Sequence, residues 1–336
     1  MTRPSVLVLD DREGLVASSP GVTRMRRIAD VRILPGSLDQ LTEAELAGVR
    51  VLLAIRERTR LDAATLARLP ALELILQTGG HAYHLDTDYT ASHGIPVTLS
   101  RGALGATAAV PELTFALAVA ALRMIPAAHR SMTEGEWRPF MGRTLRGRTL
   151  GILGLGRQGA GVARIGKAYG MHVVAWQRTP DSAGDDVPRL GLDELLASSD
   201  VVSVHLRLSE DSRGLLDARK LALMKPGSVL INTARGAIVD EPALVWALRS
   251  GGLSAAGLDV FSEEPLPADS ALRSLDNVVL TPHIGWTVEE VLIEWIDIAA
   301  RQLEEYLGGS LQRKELLDPA VLLPLDAAGG LAPLSA

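Results

Sequence analysis

The chain has 336 residues, enough for two domains, and its 47% hydrophobic and 22% charged content is that of a globular protein able to bury sizeable cores. A net charge of −6 gives no reason to expect nucleic acid as a partner. Cysteine is absent, which excludes disulfides, thiolate metal sites and a Cys nucleophile.

The N-terminal apolar run is too short for a signal peptide or a spanning helix, and the apolar helical run near Leu113–Leu122 is also read as too short to span. The expectation is a cytoplasmic protein with no membrane partner.

Residues 1–100 alternate strand and helix signals. Strands are expected at Val6–Leu9, Val31–Leu34, Val51–Ile55, Leu72–Leu76 and Ile95–Leu99, with helical patterns between them, such as Leu61–Leu69 capped by Asp62. Strands separated by helices imply a parallel sheet covered on both faces. A long helix is expected over Thr107–Thr133, with Pro111 in its first turn and a kink or break at Pro126.

The stretch Thr149–Arg178 reads as strand, glycine loop, helix to about Tyr169, and second strand His172–Trp176. Gly154-Leu155-Gly156-Arg157-Gln158-Gly159 fits G-x-G-x-x-G in the context that a dinucleotide-binding loop requires. The first glycine permits the tight turn, the second lets backbone approach a pyrophosphate, and the third lets helix and strand pack closely. The helix N-terminus adds N–H groups and the positive dipole end.

An acid that would hold the ribose 2′-hydroxyl of NAD usually ends the second strand. Here Trp176-Gln177-Arg178 stands there, and Gly151–Pro180 contains no acid but includes Arg157, Arg164, Lys167 and Arg178. That field suits a 2′-phosphate, so NADP is the favoured cofactor and NAD the other choice.

Further strands are expected at Asp200–Val204, Ser228–Ile231, Ala255–Asp259 and Asn277–Thr281, and helices at Leu192–Ala197, Leu216–Leu223, Glu241–Arg249 and Val288–Leu307. The chain is thus expected to cross between domains near Arg101 and Gly285. Residues 1–101 and 286–336 form one discontinuous domain and 102–285 the dinucleotide domain. The tail Pro319–Ala336 is weakly patterned and expected to be loose.

Three stretches follow strands after the glycine loop: Ile231-Asn232-Thr233-Ala234-Arg235-Gly236, Gly257–Pro265 with Asp259, Glu263 and Glu264, and Thr281-Pro282-His283-Ile284-Gly285. Sheets of this kind bind ligands at the carboxyl ends of their strands.

With GLGRQG, ARG, DVFSEEP and TPHIG in this order and spacing, the chain resembles the D-isomer-specific 2-hydroxyacid dehydrogenase family over roughly residues 45–310. The resemblance extends to Gln77–Asp86, to Gly94-Ile95-Pro96-Val97 and to Val110–Thr114. It implies two doubly wound parallel-sheet α/β domains, a Rossmann dinucleotide-binding domain inserted into a flavodoxin-like substrate domain. The implied activity is hydride transfer between a nicotinamide and a small 2-oxo or 2-hydroxy acid, such as glyoxylate or hydroxypyruvate, with D stereospecificity.

The implied roles fall on named positions. Arg235 matches the arginine that holds the acid's carboxylate and carbonyl, a bidentate task suited to its planar fork. His283 matches the acid/base, and Glu264 the carboxylate that favours its protonated form. Asp259 matches an acid near the nicotinamide. His205 matches a histidine near the cofactor, and Leu206 and Arg207 stand where the family often has an apolar residue and proline beside the adenosine. Thr233 and Ala234 complete the expected cofactor contacts, with Gly154, Gly156, Arg157, Gln158, Gly159, Gln177 and Arg178.

Gly79-Gly80-His81 matches a turn whose N–H groups receive the carboxylate. Gly80 and His81 are therefore expected at the substrate, although His81-Ala82-Tyr83-His84-Leu85-Asp86 departs from the usual G-V-D-N-I-D. Trp286 is read equally as lining the substrate mouth or as closing a domain contact. No metal site is expected, and the resemblance implies a homodimer. Two alternatives stand beside the reductase: a phosphoglycerate dehydrogenase-like enzyme, and a dinucleotide-sensing binding protein of the corepressor type, since fold alone does not prove catalysis.

Overall fold

The computed structural model describes residues 3–102, 104–178 and 186–319; the expected loose tail falls almost entirely outside them. The chain divides into two compact units, Met1–Leu104 with Val288–Ala336, and Gly105–Thr287. Both are parallel α/β sheets, as the strand–helix alternation predicts.

The first unit holds β1 (Ser5–Val8), β2 (Asp30–Ile33), β3 (Val51–Ala54), β4 (Leu74–Thr78) and β5 (Val97–Ser100) in the order β2-β1-β3-β4-β5. This is the flavodoxin order. All pairs are parallel, with Val6 opposite Val51 and Leu53 opposite Leu76. The inner strands β3 and β4 are buried along their whole length, the mark of a sheet covered on both faces.

Helices start where side chains can accept orphan N–H groups: Ser19 from Val22, Asp62 from Thr65, Asp86 from Tyr89, and Thr42 in a capping box with Glu45. The closing helix Glu289–Leu307 returns the chain to this unit and packs on Pro20–Ile28, where Gly21 approaches the Ile296 backbone. Buried Gln302 then ties it to β5, accepting from Thr98 Oγ1 at 2.9 Å and donating to Leu99 O at 3.1 Å.

The second unit holds β6 (Thr149–Leu153), β7 (His172–Trp176), β8 (Val201–Val204), β9 (Ser228–Asn232), β10 (Leu253–Leu258) and β11 (Val278–Leu280). Their order is β11-β10-β9-β8-β6-β7, all parallel. Strand β6 lies between β7 and β8, so the chain reverses its direction of travel across the sheet there. Such a switch point is where open α/β sheets bind ligands.

The long helix expected over Thr107–Thr133 is two helices, Val110–Arg123 and Ile125–Thr133, preceded by a π turn at Gly105–Ala109. The break falls at Met124, which is left-handed (φ 52), two residues before the expected Pro126. A proline is tolerated in the first turn of a helix. Pro126 therefore opens the second helix, and the residue before that helix absorbs the turn.

With its π turn, the span Gly105–Arg123 reaches 19 residues and is long and apolar enough to cross a membrane, which corrects the expectation that this run is too short. Half of its most apolar window is buried. Phe115, Leu117, Ala118, Ala121 and Leu122 enter the core that also contains Leu150, Ile152, Val162 and Ile231.

Candidate active site

Gly154 follows β6 with φ +96, a conformation that a side chain would strain, and a Cβ there would lie 2.8 Å from His205 O. Gly159 sits so close beneath it that a Cβ would come within 2.0 Å of Gly154 O. At Gly156 a Cβ would meet nothing within 4 Å. Two glycines thus fold the loop tightly, while the third faces open space beside the start of helix Arg157–Ala168. That helix has no side-chain cap at its N-terminus. An uncapped helix end beside open backbone suits a pyrophosphate, so the loop fits a dinucleotide. Arg157 is exposed and Gln158 half-buried at this end.

The strand ends beside the loop carry the expected residues. After β8, His205 is buried, with Nε2 2.7 Å from Ser203 Oγ, and burial pushes its imidazole down to about 3. Neutral and turned inward, it meets the glycine loop through its backbone carbonyl. Leu206 packs against the same turn, and Arg207 is exposed. After β9, Thr233 and Ala234 are buried; Thr233 Oγ1 lies 3.1 Å from Thr114 Oγ1, and Ala234 N–H is donated to Asn232 Oδ1 at 3.0 Å.

Asn232 Nδ2 also donates to Arg235 O at 3.0 Å, so one side chain clamps the loop on both sides of Arg235. The half-buried Arg235 donates from Nη1 to Ala234 O at 2.6 Å. Gly236 then packs so closely that a Cβ would lie 1.9 Å from the Phe261 carbonyl carbon. That contact presses the Arg235 loop onto the turn that carries Glu264.

Glu264 Oε1 accepts from Phe261 N at 3.0 Å, and Oε2 lies 2.7 Å from His283 Nδ1. Burial opposes the ionisation of Glu264. The His283 hydrogen bond, the Phe261 N–H and the charges of His283 and Arg235 outweigh it and hold the carboxyl below its ordinary range. Nδ1 of the half-buried His283 ring is thus turned to Glu264, which leaves Nε2 as the nitrogen not engaged with that carboxylate.

His283 is itself left-handed (φ 55), and its turn is fixed by Asp259. Asp259 is 1% exposed. Its Oδ1 accepts from Thr281 Oγ1 at 2.6 Å and Ile284 N at 2.8 Å, its Oδ2 from Gly285 N at 2.9 Å, and its backbone carbonyl from His283 N at 2.9 Å. Burial nonetheless pushes its carboxyl up. Asp259 thus works as the anchor of the His283 turn. Arg235, Glu264, His283 and Asp259 are brought together within the second unit.

The cation field after β7 is less open than the sequence suggests. Arg178 forms an ion pair with Asp211, and Lys167 with Asp186. Both acids come from outside the Gly151–Pro180 window, and contact between distant exposed side chains leaves no periodic trace in sequence. Gln177 makes contacts of its own.

In the first unit, Gly79 (φ +90) donates its N–H to Ser100 O at 3.1 Å, so an anion-binding turn here excludes that group; Gly80 faces open space. His81 stacks on Tyr83 with centroids 4.6 Å apart. Its Nδ1 is 2.7 Å from Glu57 Oε1 and its Nε2 3.2 Å from Arg56 Nη2. Arg56 and Glu57 belong to no motif that the sequence offers. Their position directly after an apolar strand was the available signal. Trp286 belongs to the second unit and is half-buried. No cluster of potential metal ligands occurs among the described residues.

Comparison with known proteins gives this geometry its context. The sequence profile of the D-isomer specific 2-hydroxyacid dehydrogenase NAD-binding domain matches residues 115–285. A glyoxylate reductase of Aeropyrum pernix is 40% identical over 75% of this chain and 78% of its own. A D-3-phosphoglycerate dehydrogenase of Archaeoglobus fulgidus is 37% identical over 80% of this chain, which spans only 52% of that relative. The crystal structure of an NADPH-dependent glyoxylate/hydroxypyruvate reductase from Sinorhizobium meliloti superposes with a TM-score of 0.80 at 28% identity, covering 96% of this chain and 99% of that one. Two parallel-sheet units, a glycine loop at a switch point and an Arg–Glu–His set on three neighbouring strand ends accord with these matches: the chain belongs to the D-isomer specific 2-hydroxyacid dehydrogenases, nicotinamide-dependent oxidoreductases of 2-hydroxy acids.

Proposed function

We propose that this enzyme works mainly as a reductase of small 2-oxo acids such as glyoxylate and hydroxypyruvate, with NADPH as the preferred cofactor. The carrying observation is the Glu264–His283 pair at 2.7 Å beside Arg235. A carboxylate-held imidazole next to a guanidinium can bind an α-oxo acid and protonate its carbonyl oxygen.

Gly154, Gly156, Gly159 and the following helix end would hold the dinucleotide, which when bound supplies a hydride to the carbonyl carbon. Arg235 binds the carboxylate and polarises the carbonyl. His283 Nε2 delivers the proton to the carbonyl oxygen, with Nδ1 held by Glu264. Asp259 holds the turn that aims His283.

The names of the Aeropyrum and Sinorhizobium relatives support the small-acid reading. Arg178 and the absence of an acid at the end of β7 support NADPH, although Asp211 must yield Arg178 for it to serve a 2′-phosphate. Phosphoglycerate oxidation is the second reading, supported by the Archaeoglobus relative. A homodimer is supported by apolar side chains left on the surface of the second unit at Ile125, Met132, Trp137 and Met141, of which Trp137 is 88% and Met141 92% exposed.

The test is kcat/KM for a panel of 2-oxo acids with NADPH and with NADH. Turnover of glyoxylate or hydroxypyruvate is expected, favouring NADPH, and Arg178→Ala should erode that preference. No turnover with any acid and either cofactor would refute the reductase. An unchanged NADPH/NADH ratio in Arg178→Ala would refute the role of Arg178.

A further inference from the structure

The segment that follows β8 carries a carboxylate across the sheet to the end of β7. Strand β6 lies between those two strands. The chain leaving β8 passes over the glycine turn at the end of β6: a Cβ on Gly154 would lie 2.8 Å from His205 O and 2.9 Å from Leu206 Cδ2. Further along, Asp211 forms its ion pair with Arg178, which stands two positions beyond the last residue of β7. Both partners and the glycine turn belong to the second unit.

The backbone that presents Asp211 is tied down on both sides. Ser212 is 7% exposed. Its Oγ donates to Arg207 O at 2.8 Å and accepts from Ser209 N at 2.8 Å. Ser212 N and Arg213 N donate to Ser209 O at 3.1 and 2.9 Å, and Gly214 N donates to Ala237 O at 2.8 Å. The charged ends are open by contrast: the Asp211 side chain is 66% and the Arg178 side chain 62% exposed.

An exposed ion pair contributes little to stability, so a ligand can exchange one partner. The end of β7 therefore carries a cation and also a carboxylate, although the strand itself supplies no acid there. In a dinucleotide fold this is where an acid holds the ribose 2′-hydroxyl or an arginine accommodates a 2′-phosphate. A phosphate monoester carries about −1.5 to −2 charges at neutral pH. It fits the guanidinium fork as a carboxylate does, so it can replace Asp211 at Arg178, and it then has Asp211 beside it as a like charge. A 2′-hydroxyl leaves the pair intact and finds in Asp211 an acceptor.

We infer that Asp211 is a specificity-determining residue for the cofactor. It is the counter-ion that a 2′-phosphate displaces from Arg178, and for a 2′-hydroxyl it takes the place of the absent strand-end acid, so it holds down the preference for NADPH over NADH. The inference rests on the reading of Arg178 as the partner of the 2′-phosphate.

The experiment measures Kd of the full-length protein for NADPH and for NADH by fluorescence titration, with no 2-oxo acid present. Arg178→Ala should weaken NADPH by at least about tenfold, the loss expected for a charge-assisted contact to phosphate. Asp211→Asn and Asp211→Ser should each tighten NADPH relative to NADH by at least about fivefold. In the Arg178→Ala background the same substitutions should move that ratio by about twofold or less, because no pair remains to be exchanged.

A turn merely loosened by the substitution would shift both dinucleotides together and leave the ratio unchanged. An unchanged ratio in both neutral variants, with NADPH still weakened by Arg178→Ala, overturns the role of Asp211 alone. An equal change in both backgrounds overturns the exchange at Arg178. NADPH binding untouched by Arg178→Ala removes the 2′-phosphate reading and this inference with it.

Discussion

Replacing Asp259 with Asn tests the anchor beneath His283. The carboxylate accepts three hydrogen bonds, two on Oδ1 (Thr281 Oγ1, Ile284 N) and one on Oδ2 (Gly285 N), at 2.6–2.9 Å. An amide of the same shape offers one oxygen and one NH2 group. In one orientation it keeps the Oδ1 pair and sets a donor against Gly285 N–H; flipped, it keeps Gly285 and faces the other two donors. The better orientation leaves one buried N–H unsatisfied, at a cost of about 1–3 kcal/mol.

An opposing effect comes from burial, which pushes the Asp259 carboxyl up. A raised carboxyl makes ionisation costly in the folded state, so the wild type gives up some stability as pH rises through the unfolded and then the folded value. Asn removes that cost. The penalty of Asp259→Asn should therefore be largest at acidic pH, where wild-type Asp259 is closer to neutral, and smaller near neutrality. At roughly 2–4 °C per kcal/mol for a unit of this size, a fall in Tm of several degrees is expected at pH 4, near the unfolded carboxyl value, with a smaller fall at pH 8. Because the same bonds set the left-handed turn of His283, kcat should fall by at least about tenfold. Scanning fluorimetry at both pH values and steady-state kinetics are the assays. A variant with wild-type Tm at both pH values and wild-type kcat would refute the anchoring argument.

Three further outcomes follow from the same site. His283→Ala should abolish reduction while leaving dinucleotide binding, read by fluorescence titration, within a few-fold of wild type. Glu264→Gln should lose stability relative to wild type mainly above pH 5: the folded Glu264 carboxyl sits below its unfolded value, so its contribution is fully present above about pH 4.5 and is lost as pH falls through the folded value. Denaturant unfolding at pH 7 and pH 3.5 should show the difference shrinking. Gly236→Ala must displace backbone, since its Cβ would lie 1.9–2.5 Å from main-chain atoms of Phe261. We expect it to cost more than about 2 kcal/mol and to raise KM for the 2-oxo acid by loosening Arg235.

Much of the fold is legible in the sequence because parallel strands buried on both faces are continuous apolar runs, as Leu74-Ile75-Leu76 and Val201–Val204 are. Boundaries slip where burial and apolarity part. Strand β4 runs on to Gln77 and Thr78, polar residues that are buried and hydrogen-bonded, while Leu72 belongs to the preceding turn. The Arg235, Glu264 and His283 stretches can be found because each follows a strand. What could not be read is pairing between distant charges. Nothing in the sequence marks Asp211 as the partner of Arg178, or Gly79 and Trp295 as the groups that enclose Arg56.

The glycine loop has a consequence for engineering. Gly→Ala exchanges commonly gain stability by restricting the unfolded chain, and helix Arg157–Ala168 invites them. Gly159, Gly161 and Gly166 all refuse, because a methyl group would strike Gly154 O, Pro111 or Leu150. Gly156, the N-cap of that helix, accepts one on steric grounds, with φ −72 and nothing within 4 Å. No steric clash would therefore reveal an Ala at the very position whose emptiness a pyrophosphate requires. Packing and cofactor affinity are separable demands at Gly156: the first leaves the position open, and the second requires it to stay so.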